Sequence, residues 1–176
     1  EQINGVWQGA CYPFREGLAT GIMNVEFSPR GQLIAGGFTT NSQWPVRGTE
    51  PFALQRIDWN GVMPFEIKEI NITTNGFRIT FTEPVDPQVA ARPEVYGITT
   101  CTHVYDAGYG SPEVDQTTDI VTRAVPAIDG LSVSITLEKL IEDHIYEFDL
   151  TNVRSHEDRR LVHSNAYYTV NEIPKP

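Results

Sequence analysis

The sequence has no long hydrophobic run. Nothing in its 176 residues approaches the roughly 18–20 consecutive apolar residues of a bilayer-spanning helix. Cations are scarce: Lys and Arg total 13 against 23 Asp and Glu, a formal net charge of −10. A chain so poor in clustered positive charge is a poor match for nucleic-acid phosphates and for an anionic membrane surface. Cysteine is nearly absent. Cys11 and Cys101 stand alone, without a Cys-x-x-Cys context, which excludes a paired-cysteine metal site and a Cys-x-x-Cys-His haem attachment. Joined, they close a loop of about 90 residues, worth roughly 4–5 kcal/mol in the chain-entropy picture. Left reduced, they are two buried thiols. Both readings stay open, and the redox compartment with them. Gly-x-Ser-x-Gly, His-Glu-x-x-His and a phosphate-loop lysine are all missing, so catalysis through those motifs is excluded. There is no internal repeat and no low-complexity tract. The opening Glu1–Trp7 has neither an initiator Met nor a signal-peptide core, as expected of a mature product or an excised piece.

Short strands fill the sequence instead. Hydrophobic residues make up 40%, and 12 Pro and 14 Gly punctuate β-rich runs along the whole chain, which predicts an all-β protein. Charge divides unevenly. Residues 1–60 carry five acids and four bases, and residues 61–176 carry 18 acids and nine bases. A shift of this size predicts two segments, 1–61 and 62–176, joined at the turn Asn60-Gly61-Val62-Met63-Pro64. The first segment is expected to hold four strands, near Gly5–Tyr12, Ile22–Phe27, Gln32–Gly36 and Phe52–Trp59. The tetrad Ser28-Pro29-Arg30-Gly31 turns between the middle two. Four short strands are the content of one propeller blade, which cannot bury both faces by itself.

The second segment alternates apolar and polar residues at Phe65–Ile70 and Phe77–Phe81. Further strands are predicted at Tyr96–Tyr105, Ile120–Val125, Leu131–Leu137, Ile145–Leu150 and Ala166–Val170. About seven strands over some 110 residues suit an Ig-like β-sandwich. Helical turns are expected only at Asp86–Ala91 and Leu137–Ile141. Asn71-Ile72-Thr73 is a formal glycosylation sequon, to which no role is assigned.

Two stretches carry a resemblance. Phe81-Thr82-Glu83-Pro84-Val85-Asp86-Pro87 resembles the strand-end signature of bacterial Ig-like modules. Glu26-Phe27-Ser28-Pro29-Arg30-Gly31-Gln32-Leu33-Ile34-Ala35-Gly36-Gly37 resembles the closing blade of secreted bacterial propellers related to soluble sugar dehydrogenases. With Arg47–Phe52 and Tyr109–Asp115, the chain is similar to the C-terminal part of large multidomain secreted bacterial proteins. The resemblance implies a propeller before the Ig-like module and a secreted or periplasmic location. It does not carry oxidoreductase activity over, because such propellers draw their catalytic His and cofactor ligands from several blades. This chain holds at most one.

The candidate site residues are few. His103 lies mid-strand, a hydrogen-bonded strand histidine by default with a metal or catalytic role as its competitor. His144, His156 and His163 read as solvated. Asp106, Glu113, Asp115 and Asp119, with Gly108 and Gly110, make an acidic loop over Asp106–Asp119. Its carboxylates are a calcium candidate, since calcium takes about six to eight oxygens, although the spacing is not that of an EF-hand. The competing readings are a structured polar crossover and a glycosidase carboxylate pair, which needs a set separation across a cleft. Trp44, Tyr105 and Tyr109 are the ligand candidates, as sugar platforms or docking surfaces. Trp7 and Trp59 are expected in the core.

Together these readings predict an all-β fold, an Ig-like β-sandwich preceded by a four-strand propeller-blade-like sheet. The leading functional expectation is a non-enzymatic accessory module bracing a propeller and contacting other domains of a parent chain, with no cofactor beyond calcium. The alternatives are a carbohydrate-binding module, and a fragment of a quinone-dependent sugar dehydrogenase whose active site lies in absent domains.

Overall fold

The computed structural model describes residues 1–38, 50–108 and 110–175. In chain order the elements are β1 (Gln2–Ile3), β2 (Val6–Trp7), β3 (Gly9–Cys11), β4 (Ile22–Phe27), β5 (Leu33–Phe38), β6 (Phe52–Ile57), β7 (Ile67–Thr73) and β8 (Gly76–Phe81). They continue with α1 (Pro87–Ala90), a 3-10 turn (Pro93–Val95), β9 (Gly97–His103), β10 (Glu113–Asp119), β11 (Val121–Pro126), β12 (Ser132–Leu137), β13 (His144–Asp149) and β14 (Asn165–Val170). The chain forms two compact units, one of Glu1–Pro13 with Pro64–Pro176 and one of Phe14–Met63.

The first unit is a sandwich of two antiparallel sheets. One has the order β10-β9-β13-β14-β3 and the other β11-β12-β8-β7. Strict alternation builds the core between them, because successive strand residues face opposite sides. Phe77, Ile79 and Phe81 of β8 point inward, as do Val133, Ile135 and Leu137 of β12, Tyr146 and Phe148 of β13, and Ala166, Tyr168 and Val170 of β14; all are buried. Phe77 is the hub, with ring centroids 5.3 Å from Tyr146, 5.1 Å from Phe148 and 5.2 Å from Tyr168. Such pairs add about 0.5–1.5 kcal/mol each beyond the area they bury. Asp86 starts the short α1, its carboxylate accepting the amides of Gln88 and Val89 at 2.8 and 3.1 Å, as an N-cap should.

Both lateral edges of the sandwich are closed. At one, the chain passes from β10 into β11 through Ile120, from one sheet to the other. At the other, the first thirteen residues act as a strap. β3 extends the five-stranded sheet beside β14. Across the gap, Glu1 Oε1 accepts the Ile72 amide at 2.9 Å, and Tyr12 Oη donates to the Lys68 carbonyl at 2.7 Å, so β7 is not left as a bare edge.

This strap corrects the expected boundary. The predicted segment 1–61 divides at Pro13, because residues 1–13 find their hydrogen-bond partners on β14 and β7. The predicted Gly5–Tyr12 strand is two short strands in the sandwich unit. A further correction concerns Asp106–Asp119, where the second half of the expected loop is the strand β10, paired with β9. Leu137–Ile141 forms no helix. Trp7 and Trp59 are exposed rather than core. Cys11 and Cys101 are both free; β3 and β9 are three strand spacings apart in one sheet, or about 14 Å, beyond disulfide reach.

The second unit, over its described residues, is a three-stranded antiparallel sheet of order β4-β5-β6. The strand Gly5–Tyr12 that was to make it a four-strand blade belongs to the sandwich. The Ser28–Gly31 turn forms as expected, the Gly31 amide donating to the Ser28 carbonyl at 2.9 Å, and Gly31 takes φ +79°, which glycine adopts without strain. The register places Val25 and Phe27 on one face with Leu33 and Ile57, and Leu54 and Phe52 on the other with Ile34 and Phe38. Ala35 alone among the unit's described hydrophobic side chains is buried.

Candidate functional site

A group of polar side chains gathers on the outer face of the five-stranded sheet. Alternation aims Ile98, Thr100 and Thr102 of β9 inward and Thr99, Cys101 and His103 outward. Register then adds neighbours: Glu113 lies opposite His103, Glu147 opposite Thr99 and Ile145 opposite Cys101, and Tyr167 opposite Glu147. With Gln116, Thr117 and Thr118 they line a shallow depression of about 480 Å³.

A β-bulge shapes it. Between Val114 and Thr117 the pairing register shifts, inserting one extra residue into β10. Glu113 and Thr118 therefore both face outward. Asp115, in the bulge, sits at φ +54°, a left-handed conformation uncommon for a residue with a side chain.

Two carboxylates anchor the depression. Glu113 Oε2 accepts from Gln116 Nε2 at 2.8 Å, and Glu147 Oε1 accepts from Tyr167 Oη at 3.1 Å. That hydrogen bond, then the negative charge of Glu147, pushes the Tyr167 phenol up from its ordinary value. The Cys101 thiol is also raised, first by loss of solvent and then by Glu113 and Glu147. A nucleophilic cysteine needs the opposite shift, toward thiolate. His103 sits two positions along the strand, but no hydrogen bond joins it to Cys101 among the described residues.

The structure separates the four carboxylates expected to hold calcium. Glu113 faces outward. Asp119, opposite the core residue Ile98, faces inward. Asp115 lies exposed in the bulge, and Asp106 folds onto its own turn, accepting the Gly108 amide at 3.0 Å. The extra residue of the bulge sends Glu113 and Asp119, an even six positions apart, to opposite faces, so loop composition could not foretell convergence. Among the described residues no three His, Cys, Asp or Glu side chains are grouped to hold a metal ion. Asp119 Oδ2 is buried without a hydrogen-bond partner. Burial raises its carboxyl above the usual range, while His144 and Lys139 pull the other way.

Tyr105 is 92% exposed, just beyond β9. Trp44 and Tyr109 lie outside the described residues. Of the histidines read as solvated, His163 is half-buried, its Nδ1 2.7 Å from Glu66 Oε1, and His144 Nδ1 lies 2.8 Å from the Glu142 carbonyl oxygen. Sequence reasoning missed Glu147, Gln116, Thr99 and Tyr167 as a group. The cross-strand register of β13 and β14 brings them together, and no local motif encodes it.

The fold is an all-β sandwich with an additional three-stranded sheet. No family model matches the chain, and no curated protein matches it significantly. Three solved structures are similar, all of the surface-layer protein SbsC. Its domains 1–6 match at TM-score 0.47 and 18% identity over 64% of this chain and 14% of that one. A crystal structure of the recombinant S-layer protein matches at 0.48 and 20%, over 65% and 14%. The N-terminal part of this bacterial protein matches at 0.47 and 17%, over 64% and 25%. The chain thus spans a quarter or less of the solved chains it resembles, and none of the three is a sugar dehydrogenase.

Proposed function

We propose that this chain is a non-catalytic structural module of a larger secreted or periplasmic protein, in which the sheet β4-β5-β6 packs against further domains of the parent chain. One observation carries the reading. The three-stranded sheet has large apolar side chains exposed on both faces: Val25 55% and Phe27 71% on one, Phe52 76% and Leu54 79% on the other. Isolated small sheets that bury nothing are marginal in water, and contiguous exposed apolar surface of this kind marks an interaction face. The sandwich unit, in contrast, has a continuous core and closed edges, as expected of a brace.

The finer reading is that the sandwich is Ig-like and that β4–β6 form part of a propeller blade whose neighbours supply the missing cover. The raised Cys101 thiol and the dispersed carboxylates support a role without chemistry of its own.

Amide hydrogen exchange on the full chain tests this. With the large apolar side chains of β4–β6 exposed, the amides of these strands are expected to exchange at least roughly 100-fold faster than those of β8, β12 and β13, whose opening requires loss of the core. Comparable protection in both units would show that the three-stranded sheet stands by itself and would overturn the reading.

A further inference from the structure

The depression on the outer face of the five-stranded sheet has three properties that narrow what it can take. Among the described residues no Lys or Arg lines it, while Glu113 and Glu147 do, so phosphorylated and carboxylated ligands are repelled. The two carboxylates are far apart. They stand on β10 and β13, two strand spacings from each other, and their β9 partners His103 and Thr99 are four residues apart, which puts the two Cα atoms about 16 Å from each other. One small cation cannot bridge that span. Lastly, each carboxylate is oriented by a single donor, Gln116 or Tyr167. Glu113 Oε1 and Glu147 Oε2 are left without partners among the described residues. Around them lie the Thr99 and Thr118 hydroxyls, the Ile145 side chain and the 44% exposed Tyr167 ring.

We propose that this depression binds an uncharged polyhydroxylated chain, a short oligosaccharide, laid diagonally across β10, β9 and β13 from Glu113 to Glu147, with Tyr167 of β14 at its far end. Pre-oriented carboxylates at each end accept hydrogen bonds from sugar hydroxyls, and charge-assisted bonds of this type are the stronger ones. Tyr167 and Ile145 offer apolar surface to a ring face between them. Shallowness suits a ligand that keeps much of its hydration. The inference uses the sandwich unit alone and goes beyond the structural role proposed above.

Cys101 lies midway on the diagonal, two residues from both Thr99 and His103, and serves as the reporter. In the full chain carrying Cys11→Ser it is the only thiol. Its alkylation by iodoacetamide is timed with cellohexaose, xylohexaose, chitohexaose or spermine at saturating concentration. One of the neutral hexasaccharides is expected to slow alkylation several-fold, equally at low and high NaCl. That protection is expected to vanish in Glu113→Ala and Glu147→Ala variants whose thermal midpoints match the parent. Protection by spermine alone, fading with salt, would identify a cationic ligand and overturn the proposal. So would protection that survives both Glu substitutions, or an alkylation rate that none of the four probes changes.

Discussion

Replacing Gln8 tests the strap that corrected the domain boundary. Gln8 is 9% exposed, and its side-chain amide makes four hydrogen bonds. Nε2 donates to Tyr168 Oη at 3.2 Å and to the Glu172 carbonyl at 3.0 Å. Oε1 accepts the amides of Asn171 at 3.0 Å and Glu172 at 2.8 Å. The amide thus ties the incoming chain to the residues just after β14 and to the core tyrosine. Gln8→Ala strips partners from two backbone amides and one carbonyl. A buried polar group left unpaired costs about 1–3 kcal/mol, and water reaches part of this edge, so the expected loss is roughly 2–4 kcal/mol. Against a typical total of about 5–15 kcal/mol that is a large share, and it lowers the thermal midpoint by roughly 10 °C. Near-ultraviolet circular dichroism follows it, because Tyr146 and Tyr168 are in the core of this unit. Gln2→Ala is the control. Gln2 is exposed and among the described residues its amide reaches only the Gly5 carbonyl, so its change stays within about 0.5 kcal/mol. A loss under about 1 kcal/mol for Gln8→Ala would refute the claim that residues 1–13 are part of the sandwich, since the unpaired groups would then be satisfied in some other way.

Phe77→Ala removes the hub of the aromatic cluster and is expected to cost about 3–5 kcal/mol in urea unfolding; a loss below about 1 kcal/mol contradicts the packing described. Gly76→Ala places a Cβ against the Ile135 carbonyl oxygen, a backbone atom on the neighbouring strand, and about 1–3 kcal/mol of destabilisation is expected from the forced displacement. An unchanged denaturation midpoint would mean that β8 and β12 do not approach so closely. Asp119→Asn tests the half-buried carboxylate. Its folded-state value is raised by burial, so the stability it contributes is present while it is protonated and is lost as pH rises through that value. The asparagine variant should melt above the parent near neutral pH, and the gap should close as pH falls below the ordinary carboxyl value of 3.8. A gap that widens toward acid pH reverses the sign and refutes the assignment.

Strand content was legible because each core strand announces itself by alternation. Phe77-Arg78-Ile79-Thr80-Phe81 reads as one buried face in any context, and Ile22–Phe27 matches β4 residue for residue. The turn at Ser28–Gly31 was legible for the same local reason: the backbone geometry there suits few other residues, and Gly31 takes positive φ. β10 was not legible. Glu113-Val114-Asp115-Gln116-Thr117-Thr118-Asp119 has little apolar alternation to reveal a strand at the sheet's edge, where neither face must be dry, and its bulge breaks the period that does exist.

The sequence by itself determined the class of fold, the positions of most strands, and the exclusion of membrane-spanning helices and of motif-borne catalysis, because these follow from composition and short-range spacing. Tertiary structure alone decided which sheet each strand joins. Residues 1–13 pair with β14 rather than β4, because register and hydrogen bonds between segments some 160 positions apart, such as Gln8 and Tyr168, have no local signature. It likewise decided that Glu113 and Asp119 face opposite sides of one sheet, and that Glu113, Cys101, Glu147 and Tyr167 share a face. A face is a property of paired strands, and pairing is settled by packing between residues distant in the chain.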